Sequence, residues 1–501
     1  MAGLNEPKES VFTMYPPIET AETLLKTYRT VPLFFSSLMD CRTPVEIFSA
    51  LKGGSDNCFL LESVERSKRW GRYSFIGVNP QEEIAVRDGT VTVASDGVSR
   101  TEPLSDPAAF LNSYLSDYRS PCFPGYPRFT GGLVGYFGYD MLRFLEKKLG
   151  APPRDDLGMP DCVLHRYDEV IAFDHLSAKI HVILHVNRKS DLGRQYRACG
   201  RRARELIRRI CREAPASRPE KTGGRPVIRS NVSKPEFVRR IEKAKRYIRA
   251  GAIFQVVPSQ RFEVENPPDA FSVYRLLRSE NPSPYLYYFQ APDYRIAGAS
   301  PEMLIRVEGG AVTNKPIAGT APRGKDEAED KRLERNLLRD GKERAEHTML
   351  VDLGRNDVGR VCKFGTVEVR DLMHVERASK VMHLVSEVRG RLRNDKTAVD
   401  ALFSALPAGT LSGAPKIRAM QIIDELETVK RGLYGGAIGY LGFDGNIDTC
   451  IAIRTALFRG GKAYVQAGMG IVADSDPERE YAESANKASA VLNAIREAAK
   501  L

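Results

Sequence analysis

The sequence predicts a mixed α/β protein. Three observations carry that reading: apolar stripes at helical spacing, short β-branched and aromatic runs between turn signals, and a decapeptide that occurs once in each half of the chain. With 501 residues, 42% apolar and 28% charged, the chain can bury a sizeable core. The excess of 75 basic over 64 acidic residues gives +11. Nucleic acid, a small polyanionic substrate or a basic solvated surface would each account for it.

The first copy of the decapeptide, "GGLVGYFGYD" (Gly131 to Asp140), matches "GGAIGYLGFD" (Gly435 to Asp444) at six of ten positions. Glycines alternating with β-formers suit a buried strand that another backbone approaches closely. Both halves are therefore expected to contribute similar strands to stacked sheets. In "RQYRACGRRARELIRRICR", eight arginines surround Cys199, Ala203, Leu206 and Ile210, which repeat at helical spacing. That is an amphipathic helix with a solvated basic face rather than a nucleic-acid arm, since stacking aromatics are nearly absent. Residues 213–237 then carry four prolines and a Gly-Gly, which marks a connection between halves. The division expected is 12–212, a linker at 213–232, and 233–497.

Ser233 opens "SKPE", a capping box with Glu236, and a helix follows as far as Gly251. "AIFQVVPSQRFEV" reads as a strand. The eight cysteines form no C-x-x-C and no cluster with histidine, so they are expected to be reduced, mostly buried thiols of a cytosolic protein. The N-terminus resembles neither a signal nor a transit peptide, and no apolar run approaches a membrane span.

"KERAEHTMLVDLGRND" (Lys342 to Asp357) poses a question. In a helix, Glu346 falls on one stripe with Met349, Leu350 and Leu353. Burying a carboxylate costs several kcal/mol unless a cation or metal compensates. In the last helix, Tyr481, Ala485, Ala488, Leu492 and Ile495 form the packing stripe, and Glu483 precedes Lys487 by four residues. A surface ion pair explains Glu483 and Lys487; a two-carboxylate Mg²⁺ site with Glu346 is the sharper alternative. "PIAGTAPRG", "AGTLSGAPK" and the Gly468-Met469-Gly470 turn are small-residue turns of the kind that hold carboxylates or phosphates, and none has P-loop form. His383, in "VMHLVSEV", is either a satisfied core histidine or a base.

The motifs together say more. "NPSPYLYYF", "IAGASPEMLIRV", "PIAGTAPRG", "ERAEHTMLVDLGRNDVGRV", "VMHLVSEV", "ALPAGTLSGAPKIRAMQIIDELE", "RGLYGGAIGYLGFDG" and "QAGMGIVADSDPEREYAESANKA" follow one another in this order. The chain thereby resembles the chorismate-utilising enzyme family over roughly 12–497. "LLES" (Leu60 to Ser63) points to the large-subunit, anthranilate-forming branch. The resemblance implies stacked, mainly antiparallel sheets with helices outside, in two intertwined halves: an N-terminal regulatory half and a chorismate-binding catalytic one. It implies Mg²⁺ on Glu346 and Glu483. Chorismate would meet Gly319, Thr320, Tyr434, Arg454, Gly468, Met469, Gly470 and Lys487. Ammonia would attack the ring as its hydroxyl leaves, with Glu302 as acid and His383 as base or orienting group. Pyruvate would then be eliminated.

Water-adding relatives carry lysine at the position of Gln255, and many aminodeoxychorismate synthases carry lysine at Ala318; both residues here favour the anthranilate branch. Ammonia from glutamine would need a separate amidotransferase small subunit, making a hetero-oligomer. Tryptophan would inhibit at Ser63, Pro284, Tyr285 and Leu286. The alternatives are aminodeoxychorismate synthase and, in a different class, a basic nucleic-acid-binding protein.

Overall fold

Period-two alternation builds the centre of the molecule. In the Tyr285–Gln290 strand, Leu286 and Tyr288 face one apolar cluster, and Tyr287 and Phe289 face another. The computed structural model describes residues 13–53, 55–64, 71–212, 224–378 and 381–501. Its two large sheets stack face to face. An aromatic-rich layer fills the space between them, with Phe34, Phe59 and Ile296 from one sheet against Val134, Tyr136 and Ile438 from the other. Helices cover both outer faces. Ile18–Leu25, Pro44–Lys52, Leu192–Arg212, Ala270–Glu280 and Pro477–Ala498 share the first sheet's outer cluster. Pro107–Ser116, Gly341–Gly359 and Ala398–Ala405 share the second's.

Each sheet is built from both halves of the chain. The first runs Thr13–Tyr15, Thr30–Leu38, Lys179–Asn187, Glu169–Asp174, Tyr73–Val78 and Cys58–Glu62. It continues through Tyr285–Gln290, Tyr294–Ser300, Thr455–Arg459, Lys462–Gly468, Ser259–Glu265 and Val227–Ser230. Its seam is the pairing of Leu286 with Glu62 and of Gln290 with Cys58. The second sheet has its seam at the repeated decapeptide. Gly132–Phe137 pairs antiparallel with Ala437–Gly442, and Gly135 lies opposite Gly439. The two copies are thus neighbours in one sheet, not counterparts in two. A Cβ on Gly135 would come within 2.0 Å of the Val163 carbonyl oxygen, and one on Gly439 within 2.1 Å of that of Asp448. Only glycine allows that approach. The ladders of both sheets are antiparallel among the described residues. Mixed α/β architecture, stacked antiparallel sheets and intertwined halves all stand.

Other expectations meet local differences. The basic helix buries Ala203, Leu206, Ile207 and Ile210 and leaves its arginines outward, as its stripe required. Ser233 accepts from the Glu236 N–H, but the Glu236 carboxylate turns to Arg239 and Arg240 instead of closing the box. Pro258, which has no N–H for a ladder, splits the expected strand into Gln255–Val256 and Ser259–Glu265. Within the expected linker, Val227–Ser230 forms an edge strand, while 213–223 lies outside the described residues. Four cysteines are buried, and Cys41, Cys122 and Cys211 are exposed.

Candidate active site

Sheet ends, turns and two helices converge on one group of polar side chains. Glu302 occupies the two-residue link between Tyr294–Ser300 and Met303–Glu308, with its carbonyl accepting from Ile451 at 3.0 Å. The link is buried, and burial pushes the Glu302 carboxyl up to about 7, against smaller opposing effects of the Thr410 hydroxyl and Lys487. A carboxylic acid half-protonated near neutrality is a competent proton donor.

Gly319 sits at a bulge between Ile317–Pro322 and Val381–Arg391 with φ +64°, a conformation glycine adopts without strain. The bulge turns its carbonyl to His383, whose Nδ1 lies 3.0 Å away; Thr320 Oγ1 is 3.3 Å from the same nitrogen. Nδ1–H therefore donates to Gly319, and Nε2 is left as the acceptor. Burial lowers the His383 pKa; the Gly319 hydrogen bond opposes this and Arg454 adds to it, which favours the neutral ring.

Arg454 has φ +52°, a left-handed backbone unusual for an arginine. Its Nη1 donates to the Lys487 carbonyl. Burial lowers its pKa, and Tyr434 and Glu483 partly restore it. A guanidinium stripped of water beside a peptide oxygen is poised for an anion. Tyr434 is buried, with its hydroxyl beside Gly468, where a Cβ would come within 2.9 Å.

The Gly468-Met469-Gly470 turn follows Lys462–Gly468. The Met469 N–H donates to the Pro258 carbonyl, and its side chain is core, packed with Phe237 and Ile241. Glycine at 470 makes room for Gln255: a Cβ there would lie 2.3 Å from Gln255 Nε2. Gln255 is 3% exposed, pairs with Ala414, and leaves Oε1 without a partner. A buried, unsatisfied acceptor beside the Gly468–Gly470 turn points to a ligand that donates to it.

The two carboxylate helices supply the rest. Glu346 is half-buried on Gly341–Gly359, and burial raises its pKa, with Lys487 opposing and Glu483 reinforcing. Lys487 Nζ sits 2.6 Å from Glu483 Oε1, so the surface ion pair and the carboxylate site occupy the same place. The Glu483 charge adds to the cost of ionising Glu346, which a bound cation would relieve. Among the described residues no three His, Cys, Asp or Glu side chains gather as a closed metal cage. An open site with two hard oxygen donors fits Mg²⁺, which keeps waters and substrate oxygens in its shell.

Sequence reasoning missed several members of this group. Glu343 and Glu480 extend the acidic faces: burial raises both pKa values, and Glu483 adds to each. The signal was legible, because Glu343-x-x-Glu346 and Glu480-x-x-Glu483 are the same i,i+3 pattern on two helices. Thr410 places a buried hydroxyl without a hydrogen-bond partner in the same small cavity as Glu302. Arg431 is 3% exposed, donates to Glu427 and to the carbonyls of Val257 and Leu411, and so pins the Pro258 bend beneath Gly468. No periodicity marks it.

Ser63, Pro284, Tyr285 and Leu286 lie together elsewhere, at the end of the first sheet's seam. Glu62 pairs with Leu286, and the Val64 N–H donates to the Ser283 carbonyl at 3.1 Å. Ser63 and Pro284 are half-buried, and Leu286 is core. The Tyr285 hydroxyl donates to Asp448 Oδ1 at 2.9 Å, inside a network with Arg306 and Arg128 that joins the two sheets.

The family model described as chorismate binding enzyme matches residues 56–493. The chain belongs to the chorismate-binding enzymes. Within that family it is similar to anthranilate synthase component 1 of Acetivibrio thermocellus, at 50% identity over 97% of this chain and 99% of the relative. The protein of the same name from Pseudomonas aeruginosa is 48% identical over 93% and 96%. Among solved structures, anthranilate synthase component I of Streptococcus pneumoniae superposes with a TM-score of 0.75, at 41% identity, over 86% of this chain and 94% of that one. The isochorismate synthase MenF of Escherichia coli shares the fold, with a TM-score of 0.69 at 20% identity over 95% and 99%. Like those chorismate-binding enzymes, the chain is a mixed α/β enzyme. No helix among its described residues is long and apolar enough to cross a membrane.

Proposed function

We propose that this chain is the large subunit of an anthranilate synthase, aminating chorismate and eliminating pyruvate. The observation that carries the reading is the neutral wall at Gln255: a buried amide with a free acceptor, where activation of water would call for a base. Ammonia already has a nucleophilic lone pair, and an amide oxygen can orient it through its N–H. The names of the relatives support the same branch.

In this mechanism Arg454 takes a substrate carboxylate, and the Gly319–Thr320 and Gly468–Gly470 backbones shape the ring pocket with Tyr434. Mg²⁺ held by Glu346 and Glu483 would supply positive charge for the ring carboxylate. As the C–N bond forms, the ring hydroxyl departs with the proton of Glu302, as water. His383 then presents its neutral Nε2 to the elimination, as base or as the group that orients the enolpyruvyl ether. A glutamine amidotransferase subunit supplies ammonia, and tryptophan inhibits at the Ser63–Tyr285 seam.

The test is direct. Purified chain with chorismate, Mg²⁺ and ammonium should form fluorescent anthranilate, and glutamine should not replace ammonium. Release of isochorismate or aminodeoxychorismate instead would refute the reading.

A further inference from the structure

Strand register sets Thr320, His383 and Glu376 in one row on the second sheet. Val381–Arg391 pairs on one side with Ile317–Pro322, where Thr320 lies opposite His383. On its other side it pairs with Glu368–Arg377, where Glu376 lies opposite His383. Residues directly opposite in an antiparallel pair share a face, with Cβ atoms roughly 5 Å apart. Val375, Met382 and Leu384, one residue out of step, take the other face and pack with Leu337 of the helix Glu327–Arg339. The polar row is thus separated from the apolar side of the same strands.

Glu376 is half-buried and held as a carboxylate. Lys315 Nζ lies 2.7 Å from its Oε1, and His374 Nε2, two residues back on the same face, lies 3.1 Å from the same oxygen. Burial works to raise the Glu376 carboxyl, and those two partners bring it below its ordinary value. Burial and Arg454 favour the neutral His383 ring, whereas Glu376 favours the protonated one. A base that rests neutral and becomes charged only during its step is helped by a fixed anion that needs no reorganisation.

We propose that Glu376 is the positioning residue that makes His383 a base, its carboxylate stabilising the imidazolium formed when Nε2 takes a proton. The inference rests on the proposed elimination and chooses the base between the two roles open to His383. In that step Nε2 takes the proton from the ring carbon that bears nitrogen. The C–H electron pair completes the aromatic ring, and the C–O bond to the enolpyruvyl group breaks. The departing enolpyruvate takes the proton on its methylene carbon and becomes pyruvate, so His383 ends neutral. Its Nδ1–H stays on the Gly319 carbonyl throughout.

The experiment uses the full chain with ¹³C-labelled histidine. The His383 resonance is assigned by its loss in His383→Gln, and its titration midpoint is followed by NMR. Glu376→Gln should lower that midpoint by roughly half a pH unit or more, and Glu376→Asp should hold it near the parent's. With chorismate, Mg²⁺ and ammonium at pH 7, Glu376→Gln should slow elimination about threefold or more, so that aminated product still bearing its enolpyruvyl ether accumulates. The KM for chorismate should stay close to the parent's. Glu387→Gln, which removes another carboxylate from the same strand four residues on, should change neither readout. An unchanged His383 midpoint in Glu376→Gln, whether or not elimination slows, would overturn the positioning role. Parent-rate elimination by His383→Gln would instead refute the part given to His383 in the reaction, on which the inference rests.

Discussion

Lys487 Nζ lies 2.6 Å from Glu483 Oε1, one helical turn away, and the same ammonium acts on Glu346 as well. A lysine thus holds the ground between two carboxylates that the proposed function assigns to Mg²⁺. Glu346→Gln and Glu483→Gln should each keep the fold, weaken Mg²⁺ binding in calorimetry, and remove most turnover. Near-parent turnover at ordinary Mg²⁺ in either variant would remove the metal assignment.

Glu302 couples activity to stability through pH. Its carboxyl titrates near 7 in the folded chain, against an ordinary value of 4.5. Below pH 4.5 it is protonated folded or unfolded and costs nothing. As pH climbs to 7, the unfolded chain ionises while the folded chain keeps its proton, so stability declines, by about 3 kcal/mol once past 7. Glu302→Gln should be more stable than the parent at pH 8, equal at pH 4.5, and nearly inactive. In the parent, kcat/KM corrected for free ammonia should fall above about pH 7. Denaturant titrations at the two pH values check the first statement, and a pH–rate profile the second.

Gln255 depends on having no side chain at residue 470. Gly470→Ala would drive a methyl into Nε2, displacing the amide toward the substrate. The expected outcome is a loss in kcat with ammonium at unchanged unfolding midpoint. Gln255→Lys should also weaken amination, because a bulky ammonium crowds the ammonia pocket and removes the amide oxygen that accepts from it. Amination at the parent rate by both variants would place the nucleophile's path elsewhere.

The second seam tolerates no Cβ. Gly135→Ala or Gly439→Ala sets a methyl about 2 Å from a backbone carbonyl, and neither partner is a flexible side chain. Each should cost at least about 2 kcal/mol, read as a lower unfolding midpoint, while Gly445→Ala at an open turn should cost less.

Ser63 follows Glu62, and Tyr285 precedes Leu286, at the pair that ends the seam between the halves, and Tyr285 also reaches Asp448 in the other sheet. A ligand there touches the contact between halves, so its affinity can differ between two packings. Tryptophan should weaken chorismate binding and chorismate weaken tryptophan binding by the same factor. Ser63→Arg should relieve the inhibition and leave the uninhibited rate close to the parent's. Tight tryptophan binding retained in Ser63→Arg would move the site.

The sequence by itself determined much of the local order. The stripe Ala203–Leu206–Ile210, the Ser233 cap and the last helix are all set by contacts within a few residues. It also showed the oddity of Glu346, because a charge on an apolar stripe is a local contradiction. Only the tertiary structure decided that the two decapeptides are partners in one sheet, since strand pairing joins residues about 300 positions apart and leaves no periodic trace. It likewise decided that Pro258 bends over Arg431, that Thr410 shares a small cavity with Glu302, and that Phe254 is surface while Gln255 is core. Those facts depend on which backbones crowd together and which groups lose water, and crowding and desolvation are properties of the folded chain alone.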